Sequence, residues 1–173
     1  MPTLFVLGIC VIYQSCSERE LFEEEIIPEV PVKFPLVQEE LRPYFERFEV
    51  EAAALGLEVD LTEHQIRGRI AEIHEDNVAG QCSYNYRNPH LITIDESFWN
   101  RSSDLFKEFI IFHELGHCYL GRGHLEDSFN NGICKSLMRS GTGFCVDYYR
   151  RDTRDYYINE LFFPEDEFLE LPL

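Results

Sequence analysis

Residues 102–124 read SSDLFKEFIIFHELGHCYLGRGH, and both the architecture and the chemistry of the chain hang on them. Ser102 and Ser103 stand before Asp104, so the free amides of a helix start find a hydroxyl acceptor and its positive end finds an acid. The spacing predicts a helix over residues 105–120. Its stretch Phe109-Ile110-Ile111-Phe112 is apolar on every side, which places the helix through the core rather than over it. His113 and His117 are four positions apart, roughly 40° on one helix face and one turn along the axis. Both imidazoles can therefore reach one metal ion. Glu114 is displaced from that face by about a quarter to a third of a turn, which suits holding a water beside the metal rather than binding the metal itself.

His113-Glu114-Leu115-Gly116-His117 is thus the His-Glu-x-x-His arrangement that binds Zn²⁺ for hydrolysis. His124 follows seven residues after His117, and in a continuing helix it would lie about 10 Å further along the axis. Ligands held at about 2.0 to 2.1 Å from one ion cannot be so far apart. The chain must break and fold back for His124 to bind, and Gly121 and Gly123 tolerate left-handed backbone at the required place. A solvent-exposed loop histidine is the alternative for His124, and Glu160, further on, is an alternative third ligand. His64, His74 and His90 lie in or near strands and read as surface or hydrogen-bonded histidines.

The run His113, Glu114, His117, Gly121, His124 resembles the signature of the metzincin clan of metallopeptidases. It has one residue more between the second histidine and the glycine than most members, a spacing similar to that of the archaemetzincins. The resemblance covers roughly residues 104–143. It implies a zincin-like α+β fold, Zn²⁺ held by His113, His117 and His124, and Glu114 as the catalytic base. Metzincins also carry a methionine on a tight turn beneath the metal, and Ser136-Leu137-Met138-Arg139-Ser140 resembles that turn, with Met138 as the supporting residue.

Upstream, Leu41, Tyr44, Phe45, Phe48, Ala52 and Leu55 recur at three and four, which predicts an amphipathic helix within residues 36–55, stopped by Gly56. Alternation at Leu57-Val59-Leu61 and at Ile66-Ile70-Ile73, then residues 81–86 and 91–94, predicts short strands of a small mixed sheet. Downstream, residues 151–163 form a further helical segment with Tyr156, Leu161 and Phe162 as apolar contacts. The expected class is α+β, a small mixed sheet packed on the buried helix with a C-terminal helix. Tyr148 and Tyr149 are candidates to donate to an oxyanion, with aromatic packing as their other role.

Residues 4–13 (LFVLGICVIY) are apolar but too few to span a bilayer as a helix, and fit the apolar region of an export signal. A buried N-terminal strand is the alternative. Ser15-Cys16 followed by charged residues resembles a lipoprotein processing site of the loose Bacteroidota type, with Cys16 as the lipidated residue and Cys10 a poorer candidate. The implied organisation is a signal peptide over 1–15, an acidic tether over 16–35 and a zinc metallopeptidase domain over 36–173. The product would be exported and lipid-anchored to the cell envelope, in the periplasm or on the outer-membrane surface.

Cys82, Cys118, Cys134 and Cys145 then remain, allowing three disulfide connectivities. None forms a CxxC pair, so a four-cysteine zinc site is not indicated. Cys134 and Cys145 flank the Met138 turn and either staple it or stay as thiols.

The 173 residues suffice for one domain, and 45% hydrophobic content with 14% aromatics can fill one core. A net charge of -17 offers no clustered Lys/Arg for a phosphate backbone and excludes nucleic acid as a partner class. Eleven of the 32 acids lie in residues 18–29 or 160–170, so the imbalance belongs mainly to the chain ends. The expected activity is zinc-dependent endopeptidase action on a peptide or protein substrate, by a monomer whose membrane contact is the lipid anchor. The rival from another class is a surface lipoprotein that keeps the zinc for structure or partner binding. A related enzyme cutting a non-peptide amide would share all the chemistry.

Overall fold

The computed structural model of the chain describes residues 31–85, 88–141 and 143–164. The chain divides into Met1–Pro31 and Val32–Leu173, and the fold that follows is that of the second part. The proposed signal, Cys16 and most of the acidic tether lie outside the described residues. No helix among the described residues is long and apolar enough to cross a membrane.

Tyr44, Phe45, Phe48 and Ala52 are all buried along one side of α1 (Arg42–Ala54), which a single 3-10 turn at Glu39–Leu41 leads into. Pro43 sits in its first turn, where a missing N–H costs no hydrogen bond. The helix starts later than the periodicity predicts, because residues 36–38 are taken by the sheet. Val37 bridges Gly68 in parallel, and the Gln38 N–H donates to the Gly68 carbonyl at 2.9 Å. Phe34 is buried against Phe45, so the folded part already includes this residue. Gly56, at φ +79°, ends α1 and lets the Leu57 N–H return to the Ala52 carbonyl.

The strand expected over Leu57-Val59-Leu61 does not form. The helix cap consumes the Leu57 amide, the Leu61 N–H donates to Glu49 Oε1, and Asp60 accepts from the Glu63 and His64 amides. Alternation there came from Leu61, a buried plug in a turn, rather than from a pleated segment.

The sheet consists of β1 (Arg67–Ala71), β2 (Gly80–Asn85) and β3 (Asn88–Asp95), in the order β1-β3-β2. β3 is central, parallel to β1 and antiparallel to β2. Its apolar run Leu91, Ile92 and Ile94 is buried, as expected of a strand with neighbours on both sides. Gly68, Ile92 and Cys82 stand abreast across the three strands. On that face Gly68 leaves room for Phe45 of α1, and Cys82 is disulfide-bonded to Cys118 at the end of α3 (Asp104–Cys118). Helices therefore cover one face of the sheet, while Arg69 and Thr93 are hydrogen-bonded to each other on the other.

Between the sheet and α3 the structure adds α2 (Glu96–Arg101), a helix the apolar pattern does not announce. Asp95 caps it by accepting from the Phe98 amide, and the Ser97 hydroxyl with the Ile73 amide holds the Asp95 carboxyl down to about 2. Ser103 caps α3 in the same way through the Phe106 amide, as its sequence predicts.

The C-terminal helix α4 (Arg154–Phe162) is shorter than the predicted 151–163, since Arg150 to Thr153 form a turn closed by Thr153. It is tied to α3 by Glu108, whose buried carboxylate accepts from Arg154 Nε, the Tyr149 hydroxyl and Arg47 Nη1, each at 2.6 Å. A charge so deep in the core persists because both carboxylate oxygens have donors, two of them guanidinium groups. Among the described residues the chain is thus a mixed α+β fold with a three-stranded mixed sheet and four helices, with α3 at its centre.

Candidate metal centre

α3 presents His113 and His117 on one face, and the chain then turns back as the helical pattern requires. Gly121, at φ +67°, adopts the left-handed conformation at the break, and the Arg122 N–H donates to the Gly116 carbonyl at 2.9 Å. This reversal brings His124 beside the other two. His117 Nε2 lies 3.1 Å from His113 Nε2 and 3.1 Å from His124 Nε2, and one nitrogen from each ring falls within 4.8 Å of the others. The rings grade from buried His113 to exposed His124, so the trio opens on one side.

The chemistry of these donors fits a cation. His113 Nδ1 is 2.8 Å from the Leu137 carbonyl and His117 Nδ1 is 2.7 Å from the Arg122 carbonyl. A carbonyl only accepts, so both rings carry their proton on Nδ1 and direct bare Nε2 lone pairs at each other. Burial pushes the His113 pKa down to about 4 and also lowers that of His117, so both are neutral at pH 7. Two unprotonated nitrogens at 3.1 Å repel unless they share a positive charge. Nitrogens bound tetrahedrally at about 2.0 to 2.1 Å would stand about 3.3 Å apart, close to this spacing. The three histidines can bind a metal ion, and among the described residues they are the group of that kind.

Glu114 is buried beside them, with the Cys82 amide donating to its carboxylate. Gly80 makes this position accessible: a Cβ there would lie 2.7 Å from Glu114 Oε1 and 2.9 Å from Ile110 Cγ2. A glycine inside a strand is the sequence signal of such a close approach.

Burial pushes the Glu114 carboxyl from 4.5 up to about 8. The folded chain therefore holds more protons than the unfolded one between those values, and loses stability as pH rises through them. His113 acts in the opposite sense, costing stability as pH falls from 6.5 towards about 4. Above pH 6.5 the Glu114 effect stands alone of these two. In metal-free protein, urea unfolding should show the parent losing about 1–2 kcal/mol relative to Glu114→Gln between pH 6.5 and 8. Parallel profiles for the two proteins would show that the carboxyl is not held neutral.

Met138 is fully buried beneath the helix, and Gly116 is the reason it fits. A Cβ at Gly116 would overlap Met138 Sδ and lie 3.0 Å from its Cε and 3.2 Å from Leu161 Cδ1. Glu160 is not among the metal-facing groups. Its carboxylate is engaged by Arg122 Nη2 at 2.6 Å and by the Ser136 hydroxyl at 2.8 Å, so His124 takes the third position.

Tyr149 also points elsewhere, donating to Glu108, while Tyr148 lies in the 3-10 turn Phe144–Tyr148 and its carbonyl accepts from the Thr153 hydroxyl. His64 contacts the Asp60 carbonyl, His74 lies by Glu72, and His90 contacts the Cys118 carbonyl, as expected of non-ligands. Cys134 is disulfide-bonded to a cysteine whose side chain lies outside the described residues. Arg122 carried no signal in the sequence, since its partner is 38 residues away.

The trio and Glu114 line a cleft of about 280 Å³ completed by Asn77, Val78, Ala79, Gly80, Phe109 and Ile110. Among the described residues Glu114 is the one acid on its walls. β2 borders the cleft as an edge strand, paired on one side with β3 among the described residues. Compared with protein-family models, with curated proteins and with solved structures, the chain matches none of them.

Proposed function

We propose that the chain is a zinc metallopeptidase of the metzincin kind that cleaves peptide bonds within extended substrates. The observation that carries the reading is the convergence of three imidazoles, His117 Nε2 standing 3.1 Å from each of the other two, with a buried carboxyl group beside them in an open cleft. A Zn²⁺ ion held by His113, His117 and His124 would supply Lewis acidity, lowering the pKa of a water to about 7 and polarising the scissile carbonyl.

Glu114, held neutral by burial in the metal-free chain and ionised when a cation lies beside it, takes the proton of the attacking water and passes it to the leaving amine. The Cys82 amide holds the carboxylate in place for both transfers. The edge of β2 offers main-chain groups to an extended peptide, and Val78, Phe109 and Ile110 offer an apolar recess beside the metal. With no charged wall other than Glu114, that recess selects for apolar rather than basic side chains. Met138 supports the site from below without touching substrate.

Export to the cell envelope and a lipid on Cys16 complete the proposal, resting on the N-terminal sequence. The Cys82–Cys118 disulfide supports an oxidising compartment. Metal analysis of the purified chain should find one zinc per molecule, and a proteome-derived peptide library should be cut beside apolar residues. A chelator should stop cleavage and added zinc restore it. Zinc without cleavage of any peptide would favour the non-catalytic lipoprotein, and cleavage of other amides alone would move the substrate class. Absence of bound metal would end the reading.

A further inference from the structure

Three side chains of α4 grip the segment that carries Met138. The Tyr157 hydroxyl donates to the Cys134 carbonyl at 2.9 Å, the Tyr156 hydroxyl to the Lys135 carbonyl at 2.7 Å, and Glu160 Oε2 accepts from the Ser136 hydroxyl and the Leu137 amide. Ser136 Oγ in turn accepts from the Met138 amide at 2.9 Å. The Leu137 carbonyl, in the same segment, is the one that fixes His113.

Glu160 has a second arm. Its Oε1 accepts from Arg122 Nη2 at 2.6 Å, while Arg122 Nη1 donates to the carbonyls of Glu160 and Leu161 at 2.9 and 3.1 Å. The guanidinium therefore sits on the negative end of α4 as well as on its carboxylate. The carbonyl of this same Arg122 fixes His117. Both side chains are almost removed from water, with 11% and 6% of their surface exposed, so solvent does not screen the pair as it would a surface bridge.

We infer that Glu160 is a positioning residue for the metal centre, acting on His117 through Arg122 and on His113 through the Ser136–Leu137 turn. The inference rests on the metal-binding reading above. Each carboxylate oxygen bonds a residue, Arg122 or Leu137, whose own carbonyl dictates which nitrogen of a histidine ring faces the ion. Groups that orient a metal-binding imidazole contribute to affinity because they set tautomer and ring angle before the metal arrives. Neither arm touches the His124 ring.

The test uses the full chain, metal-free and labelled with ¹⁵N, so that imidazole spectra report which nitrogen of each ring holds the proton. In the parent, His113 and His117 should be Nδ1–H. Arg122→Met should mix the tautomers of His117 and leave His113 alone. Ser136→Ala should do the reverse, and Glu160→Gln should affect both while His124 stays as it was. In parallel, Co²⁺ affinity measured by chelator competition should fall about 10- to 100-fold in Glu160→Gln.

A purely structural role would move all three rings together, or none, and either pattern in the single-arm variants overturns the inference. If Glu160→Gln fails to fold, those two variants carry the test. Should the parent bind no Co²⁺, the metal reading falls on its own, and the tautomer pattern still reports on the positioning role.

Discussion

Glu114→Gln should keep one metal ion per chain and lower peptide hydrolysis by about 10² to 10⁴-fold, the usual contribution of a positioned acid–base group. The amide fills the same space and can still receive the Cys82 N–H, so the geometry around it survives. It cannot take a proton from water, and that is the step asked of it. His113 and His117 take their orientation from the carbonyls of Leu137 and Arg122 and not from Glu114, so metal content should be unchanged. The measurement is kcat/KM on a cleaved library peptide alongside metal analysis of the same sample. A variant that cleaves as fast as the parent would remove Glu114 from the mechanism, and a variant without metal would make it a structural residue.

Met138→Ala should destabilise the fold by about 2–5 kcal/mol in urea unfolding, the range for emptying a fully buried site that cannot collapse. Gly116→Ala alone should also destabilise, by about 1–3 kcal/mol, because the new methyl overlaps the sulfur of the fully buried Met138, which must shift to admit it. In an exposed helix the same change would stabilise by about 1 kcal/mol, so the sign of the effect separates packing from propensity. The double variant should cost less than the sum of the two, since the added methyl enters space that the missing thioether vacates. Additive losses would mean that Gly116 and Met138 do not share one site, and the turn would then have no packing link to the helix that carries His113 and His117.

Much of this was legible in residues 102–124. Capping by Ser103, the all-round apolar run and the break at Gly121 were each local features, and local sequence reports local conformation well. Strand alternation was less secure. At residues 57–61 it described a buried plug in a turn, because the amides that a strand would pair were taken by Ala52 and Glu49. α2 escaped notice because no apolar periodicity marks it and its cap comes from the last residue of a strand. The Tyr149 hydroxyl is committed to Glu108, 41 positions earlier, a partner that no local pattern marks.

By itself the sequence determined the ligand spacing, the acid beside the first histidine and the need for a chain reversal before the third, all consequences of helix pitch and glycine conformational freedom. Tertiary structure settled the rest. It placed Glu160 on Arg122 instead of beside the three histidines, aimed two imidazoles with main-chain carbonyls, and set Gly80 and Gly116 against Glu114 and Met138. These outcomes depend on which groups meet after the helices dock on the sheet. A buried carboxylate goes to the donors that reach it with the best geometry, and that competition is between residues far apart in the chain.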